Sequence, residues 1–349
     1  MTIVANQYAH VVGVDTHAKT HTYAILASAT GQVVDTATFP ASPPGIARAA
    51  DWMNRPSGEG QVLVSVEGAS SYGAGLTRAL RGAGISVCDV RPPRRTSRRA
   101  QGKSDAIDAV AAAQSVLGIE VASLLEPRAD GDRNALRILL DARRMMDRQR
   151  SADRLALTAI TRSTALDVDA REALSDARIR NIAAWRARSR DSRADRVARD
   201  EARCLASAVI AFNTEMEANR TQLSDIVQDM APGLMDLQGL GPVTSAIVLV
   251  AYSHHGRIRS EAAFAAIAGV NPIPASSGNT VRHRLNRNGD RQLNKALHTI
   301  ARTRMQFDAT TREYVVRRTA EGKSIKEIRR CLKRAIARQL FRKLQTLMA

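Results

Sequence analysis

The order of short apolar runs in the first third of the chain narrows its possible folds more than any other feature. His10-Val-Val-Gly-Val-Asp15 is an apolar run closing on an acid and reads as a buried strand. Residues 22–28 alternate and are rich in β-formers. Gly31-Gln32 makes a turn, and residues 33–39 give a third strand, so the three read as a meander. Pro43-Pro44-Gly45 starts a helix that runs to about residue 54. Gln61-Val-Leu-Val-Ser-Val-Glu67 is another buried strand that closes on an acid. Residues 72–82 are helical and 85–90 form a fifth strand. The basic loop 91–103 then leads into an alanine-rich helix that opens at Asp105 and runs to Leu117.

This order, β-β-β-α-β-α-β-α, is that of the ribonuclease-H-like fold, in which an antiparallel trio joins parallel strands flanked by helices. It gives scattered acids a common destination. Asp15 and Glu67 close the first and fourth strands, whose ends share one edge of an α/β sheet if those strands are adjacent. Asp105 and Asp108 lie three apart and leave the same helix face. Taken alone, that pair also reads as solvated acids favoured by the positive end of a helix. With the helix packed across the strand ends, all four carboxylates converge. Such oxygen-rich acidic sites suit Mg²⁺ or Mn²⁺, and two such ions can clamp both sides of a phosphodiester displacement.

Charge points to the substrate class. Lys and Arg number 52 against 34 Asp and Glu, a net +18 that calls for a polyanionic partner. Hydrophobic residues at 44% exclude a disordered chain, while aromatics at 3% require aliphatic, alanine-rich cores. Cys88, Cys204 and Cys331 are far apart and lack metal-ligand spacing, which argues for a reducing cytosol with neither disulfides nor zinc. The N-terminus has no signal-peptide pattern and no apolar run is long enough to span a bilayer, so a cytoplasmic protein is expected.

From Pro127 the composition changes. Residues 133–220 read as helical, with almost no Gly or Pro. Leu205, Val209, Phe212, Met216, Asn219, Leu223, Ile226 and Met230 then form a heptad seam with Asn219 as its one polar member. A coiled-coil dimer and an antiparallel hairpin with the preceding helix both fit. Pro232 ends this region. Leu237-Gln-Gly239-Leu-Gly241-Pro reads as a hairpin leading into an apolar helix at 246–252, and resembles a helix-hairpin-helix element. Its glycines either let backbone N–H groups approach a phosphate or serve close packing. The turn-rich loop 269–279 carries Ser276 and Ser277, and is followed by Arg282, Arg284 and Arg287 and a helix at 291–305. A serine beside glycine and flanked by arginine can be a nucleophile, the guanidinium groups steadying a pentavalent phosphate. The same serines are equally ordinary turn residues. Residues 323–347 form a basic helix with Ile325, Ile328, Leu332, Ile336, Leu340 and Leu344 on one face.

Over nearly its whole length the chain resembles the insertion-sequence transposases with an Asp-Glu-Asp-Asp, RuvC-like domain, known as bridge-RNA-guided recombinases. The matching residues are Gly13-Val-Asp15, Val66-Glu67-Gly68 with Tyr72-Gly73, and Lys103-Ser104-Asp105-Ala106-Ile107-Asp108-Ala109. Gly239-Leu-Gly241-Pro, Phe264, Gly269-Val-Asn-Pro272, Ser276-Ser277-Gly278 and Gly289 continue the match. The resemblance implies that Asp15, Glu67, Asp105 and Asp108 hold the metal and that Ser277 is the nucleophile. Nucleic-acid contacts are expected at Lys103, Gly239, Gly241, Arg282, Arg284 and Arg287. The resemblance also implies a RuvC-like catalytic domain at 1–126, a helical coiled-coil oligomerisation region at 127–231, and a mainly helical transposase domain at 232–349. Donor and target DNA, a noncoding bridge RNA and further copies of the chain, from dimer to tetramer, are the implied partners, in a bacterial, nucleoid-associated setting. A metal-dependent nuclease or junction resolvase using water as nucleophile is the alternative. Two positions depart from the family's usual Gly-Asn and Leu-Arg: here they read Gly289-Asp290 and Leu293-Asn294.

Overall fold

The computed structural model describes residues 2–55, 61–90, 104–275 and 283–349. It comprises two compact units, Met1–Arg128 and Ala129–Ala349.

In the first unit a short helix, α1 (Val4–Gln7), precedes β1 (His10–Thr16), β2 (Thr20–Ala27) and β3 (Val33–Pro40). Then follow α2 (Pro43–Asn54), β4 (Val62–Glu67), α3 (Ala74–Gly82), β5 (Ser86–Val90) and α4 (Asp105–Leu117). The expected element order is observed. The five strands form one mixed sheet in the order β3-β2-β1-β4-β5, with β1, β2 and β3 antiparallel and β1, β4 and β5 parallel. Strand alternation sorts side chains to two faces. Val11, Ala24 and Leu26 pack with Ala109, Ala113 and Val116 of α4. Val12, Val14, Tyr23 and Ile25 pack on the other face with Trp52 and Met53 of α2 and Leu76 and Leu80 of α3. Three of the chain's few aromatics, Tyr23, Phe39 and Trp52, gather there. The Trp52 indole Nε1 donates to Asp35 Oδ2 at 3.0 Å, tying α2 to edge strand β3.

The second unit is mainly helical. Its long helices α5 (Asp132–Ser163) and α7 (Arg193–Met230) form an antiparallel hairpin, with α6 (Asp176–Ala183) between them. The sequence predicts unbroken helix here, and the break at 164–175 has a tertiary cause. Leu166, Ala170 and Leu174 are buried with Leu157, Ile179 and Val209 in a separate core. The carbonyls this exposes are taken up by arginines: Arg162 Nε donates to Ala170 O at 2.6 Å and Arg154 Nη2 to Leu174 O at 2.8 Å. The heptad seam is buried against the chain's own α5. Asn219 Nδ2 donates to Leu139 O at 3.0 Å, while Asn219 Oδ1 accepts from Arg143 Nη1 at 3.3 Å.

The larger core joins the inner ends of that hairpin to α8 (Pro242–Tyr252), α9 (Glu261–Ile267), α10 (Arg291–Phe307) and, after α11 (Ala309–Ala320), α12 (Ile325–Leu347). Helix α8 starts four residues before the expected position. Pro242 sits at its first turn, and Thr244 Oγ1 accepts from Gly241 N at 2.9 Å, satisfying the N–H of the residue before the helix. Two short strands, β6 (Ile273–Pro274) and β7 (His283–Arg284), pair antiparallel. Asp290 caps α10, its Oδ1 accepting from Gln292 N and Leu293 N at 2.8 and 3.0 Å. No helix among the described residues is long and apolar enough to cross a membrane.

Candidate active site

Strand β1 carries Asp15 as its penultimate residue, buried to 8% exposure. The parallel pairing of Val14 with Val66 brings Asp15 and Glu67 to neighbouring strand ends. The Thr16 hydroxyl donates to the Glu67 carbonyl at 2.7 Å and clamps those ends together. Glu67 closes β4 with its side chain partly buried.

Helix α4 delivers the other two acids. Ser104 starts it by accepting from Ile107 N at 3.3 Å. Asp105 is its exposed first residue and Asp108 lies one turn on, buried. What lets α4 come so close to β1 is Gly13. A Cβ there would stand 1.9 Å from the Ala109 carbonyl oxygen and 2.5 Å from the Ala113 nitrogen. Any residue but glycine is therefore shut out by helix backbone.

His17, just past the end of β1, links the two elements. Its Nε2 lies 3.1 Å from Asp15 Oδ2 and 3.6 Å from Asp105 Oδ1. One donor atom from each of the three residues falls within 4.8 Å of the others. Burial raises the Asp15 pKa, the His17 imidazole works against this, and the negative charges of Asp108 and Asp105 push it up further. Three acids thus share one field, with the His17 imidazole against two of them, Asp15 and Asp105. Two carboxylates and an imidazole within ligand reach, with a third acid beside them, form a donor set that suits a divalent cation. Sequence reasoning took the acids and missed His17. The signal was its i+2 spacing from Asp15, which in extended chain puts both side chains on one face.

The remaining candidates divide. Ser276, Ser277, Lys103 and Arg282 lie outside the described residues. Arg284 and Arg287 are exposed and line a cavity of about 1210 Å³ in the second unit. Gly239 has φ +86° and presses on Ile300 of α10, where a Cβ would be 3.1 Å from the backbone oxygen. The Gly241 N–H is engaged by Thr244. Both glycines therefore have packing or capping duties that explain them locally.

Comparison with known proteins follows the same division. Residues 12–164 match a transposase family model of the IS110 type with the Asp-Glu-Asp-Asp signature. Residues 231–316 match the family described as transposase IS116/IS110/IS902. A curated protein of Streptomyces coelicolor, the insertion element IS110 uncharacterized 43.6 kDa protein, is 30% identical over 123 residues. That alignment covers 34% of this chain and 30% of the relative, so the chain spans under a third of the curated protein it matches. With one match running from β1 past α4 and a second across the helical core, the chain belongs to the IS110-type insertion-sequence transposases.

Proposed function

We propose that this chain is a DNA recombinase that excises and inserts a mobile element. In this reading unit Met1–Arg128 is a ribonuclease-H-like, RuvC-like domain. Its Asp15, Glu67, Asp105 and Asp108 hold Mg²⁺ or Mn²⁺, with His17 beside them. The observation that supports it most is the meeting of Asp15 and Asp105 at His17, with the charge of Asp108 also felt by Asp15, from segments ninety residues apart. Bound there, a divalent cation would supply Lewis-acid stabilisation of the charge that develops on a phosphodiester. The protein's own groups do the rest. Asp15 and Asp108, both buried, are held by the β1–α4 contact and need no reorganisation as charge develops.

Ser277 is the proposed nucleophile, with Ser276 its neighbour. Its hydroxyl loses a proton and its oxygen bonds to phosphorus. One phosphodiester P–O bond breaks, and the leaving strand end takes up a proton as a hydroxyl. A second strand's hydroxyl reverses the step, so no external energy source is required. In this division of labour 1–126 supplies the acids, 127–231 supports assembly from dimer to tetramer, and 232–349 brings the serine. A noncoding bridge RNA selects donor and target DNA by pairing.

The test is a covalent-adduct assay with the full chain and element-end DNA. A protein–DNA adduct is expected from the wild type and lost in both Ser277→Ala and Asp15→Ala. Free DNA ends without adduct, unaffected by Ser277→Ala, would mean that water is the nucleophile and the enzyme a nuclease or junction resolvase.

A further inference from the structure

The net charge of +18 is not spread evenly. On the long hairpin, cations are matched locally. Arg137 and Arg144 pair with Asp141, Arg150 with Asp147, Arg199 with Asp191, and Arg220 with Glu217. The two helices together carry 13 Arg against 11 Asp and Glu, so that surface is close to neutral. The cavity of about 1210 Å³ in the same unit is the reverse.

One wall of the cavity is the start of α12, where Lys326, Arg329, Arg330, Lys333 and Arg334 repeat at spacings of three and four. The other face of that helix is pinned in the core through Ile328, Leu332 and Ile336, so the cationic face cannot turn away. The opposite wall is α10, with Arg291, Lys295 and His298. Arg284 and Arg287 close one end. Glu327 is the only acid lining the cavity among the described residues, and its carboxylate is occupied by Ser324 N and Oγ at 2.9 and 2.7 Å. No ion pair engages any of the lining cations among the described residues, and Arg329 Nε is buried without a hydrogen-bond partner there.

The cavity is rigidly built. Its floor is the crossing of Gly269 and Gly289, so tight that a Cβ on Gly289 would lie 2.4 Å from Gly269 Cα. Asn286 Nδ2 holds that floor by donating to Asn271 Oδ1 at 2.8 Å. Asn294 Nδ2 donates to Ala268 O at 2.7 Å, and its Oδ1 accepts from Lys333 Nζ at 2.6 Å. Lys333 is thereby fixed in place, with its remaining donors available to a ligand. Burial lowers the Lys333 pKa, and the neighbouring Arg329 charge adds to this.

We infer that this cavity is a grip for the sugar–phosphate backbone of a nucleic acid, made without base readout, with Lys333 as its preset central contact. Ten cations in one concavity match a run of successive phosphates and far exceed the need of a single anion. His283 and His298 are the only aromatic rings among its described lining residues, and no Phe, Tyr or Trp offers a larger stacking platform there. The grip is a separate function from the acid chemistry and rests on the recombinase reading only for the identity of the polyanion.

The test compares two triple variants of the full chain that remove the same charge. Lys326→Ala/Arg330→Ala/Arg334→Ala strips exposed positions of the cavity wall. Arg180→Ala/Arg186→Ala/Arg190→Ala strips exposed positions elsewhere in the unit. Binding of a random-sequence DNA duplex and of an RNA hairpin of equal length is measured from about 50 to 200 mM salt. The cavity variant, at unchanged melting temperature, is expected to bind on the order of tenfold or more weakly, with a log–log salt slope shallower by about 2–3. The control variant is expected to track the wild type. Weakening confined to one probe assigns the grip to DNA or to RNA. Equal weakening in both variants, or none in the cavity variant, overturns the inference. Lys333→Gln adds an independent check, since losing the fixed contact should weaken binding more than Arg330→Ala alone, and an equal or smaller loss also counts against it. Asp15→Ala should bind like the wild type while failing to recombine, so a failed grip and a failed active site give different results.

Discussion

Gly13→Ala is a one-methyl change at a position that carries no chemistry, yet it should dismantle the acid centre. The new Cβ would sit 1.9 Å from Ala109 O and 2.5 Å from Ala113 N. Carbon contacts settle at about 3.5 Å, so strand and helix must part by on the order of 1–1.5 Å. Neither obstacle is a side chain that can swing aside. Overpacking of this kind costs about 1–3 kcal/mol, and the upper end applies where backbone meets backbone. For a unit of this size that lowers the melting temperature by roughly 5–10 °C. The Asp105 carboxylate, now 3.6 Å from His17, moves out with α4. Thermal unfolding and Mn²⁺ titration followed by electron paramagnetic resonance read the two effects separately. Wild-type stability together with wild-type Mn²⁺ affinity would refute the reasoning. So would rescue by Ala109→Gly, because the clash is with a carbonyl that every residue retains.

Three further outcomes are expected. Divalent cation at about 100 times its dissociation constant should stabilise the wild type by roughly 2.7 kcal/mol, an effect removed by chelator and absent in Asp15→Ala; an equal shift in that variant would place the ion elsewhere. Asn219→Ala should cost about 1–3 kcal/mol in chemical denaturation, because Leu139 O and Arg143 lose their partner inside the α5–α7 contact; a neutral result would mean that water replaces it. Asp290→Ala should cost about 1 kcal/mol through the loss of the α10 cap, with Asp290→Asn retaining most of the stability and Asp290→Leu as damaging as alanine.

The first unit was legible because its strands are short apolar runs between turn residues, and a buried strand leaves little else for such a run to be. Asp15 and Glu67 stood out as acids ending such runs, whereas the need for glycine at Gly13 shows only in the helix packed on it. The second unit was less open to reading. The local signals at 164–175 are small, a left-handed Asp167 and the Ser175 cap of α6; the break is fixed by Leu166 and Leu174 reaching a core built by residues far along the chain. The start of α8 was present in Pro242, a residue suited to a first helical turn, but the neighbouring glycines drew the reading to a hairpin. A heptad seam declares that a helix needs a partner without saying whose, and here α5 of the same chain takes that place. Asp290, a departure from the family pattern, is explained by the cap it makes, and Asn294 by the lysine it holds.

The contact of β1 with α4 also sets a schedule. Asp15 is made ninety residues before Asp105. At about 5–20 residues per second, the sheet's central strand waits roughly 5–20 s for the helix that covers it. During that interval the nascent chain has a sheet edge but no assembled acid centre. Synthesis order thus delays the competence to cut until the unit is able to close on itself.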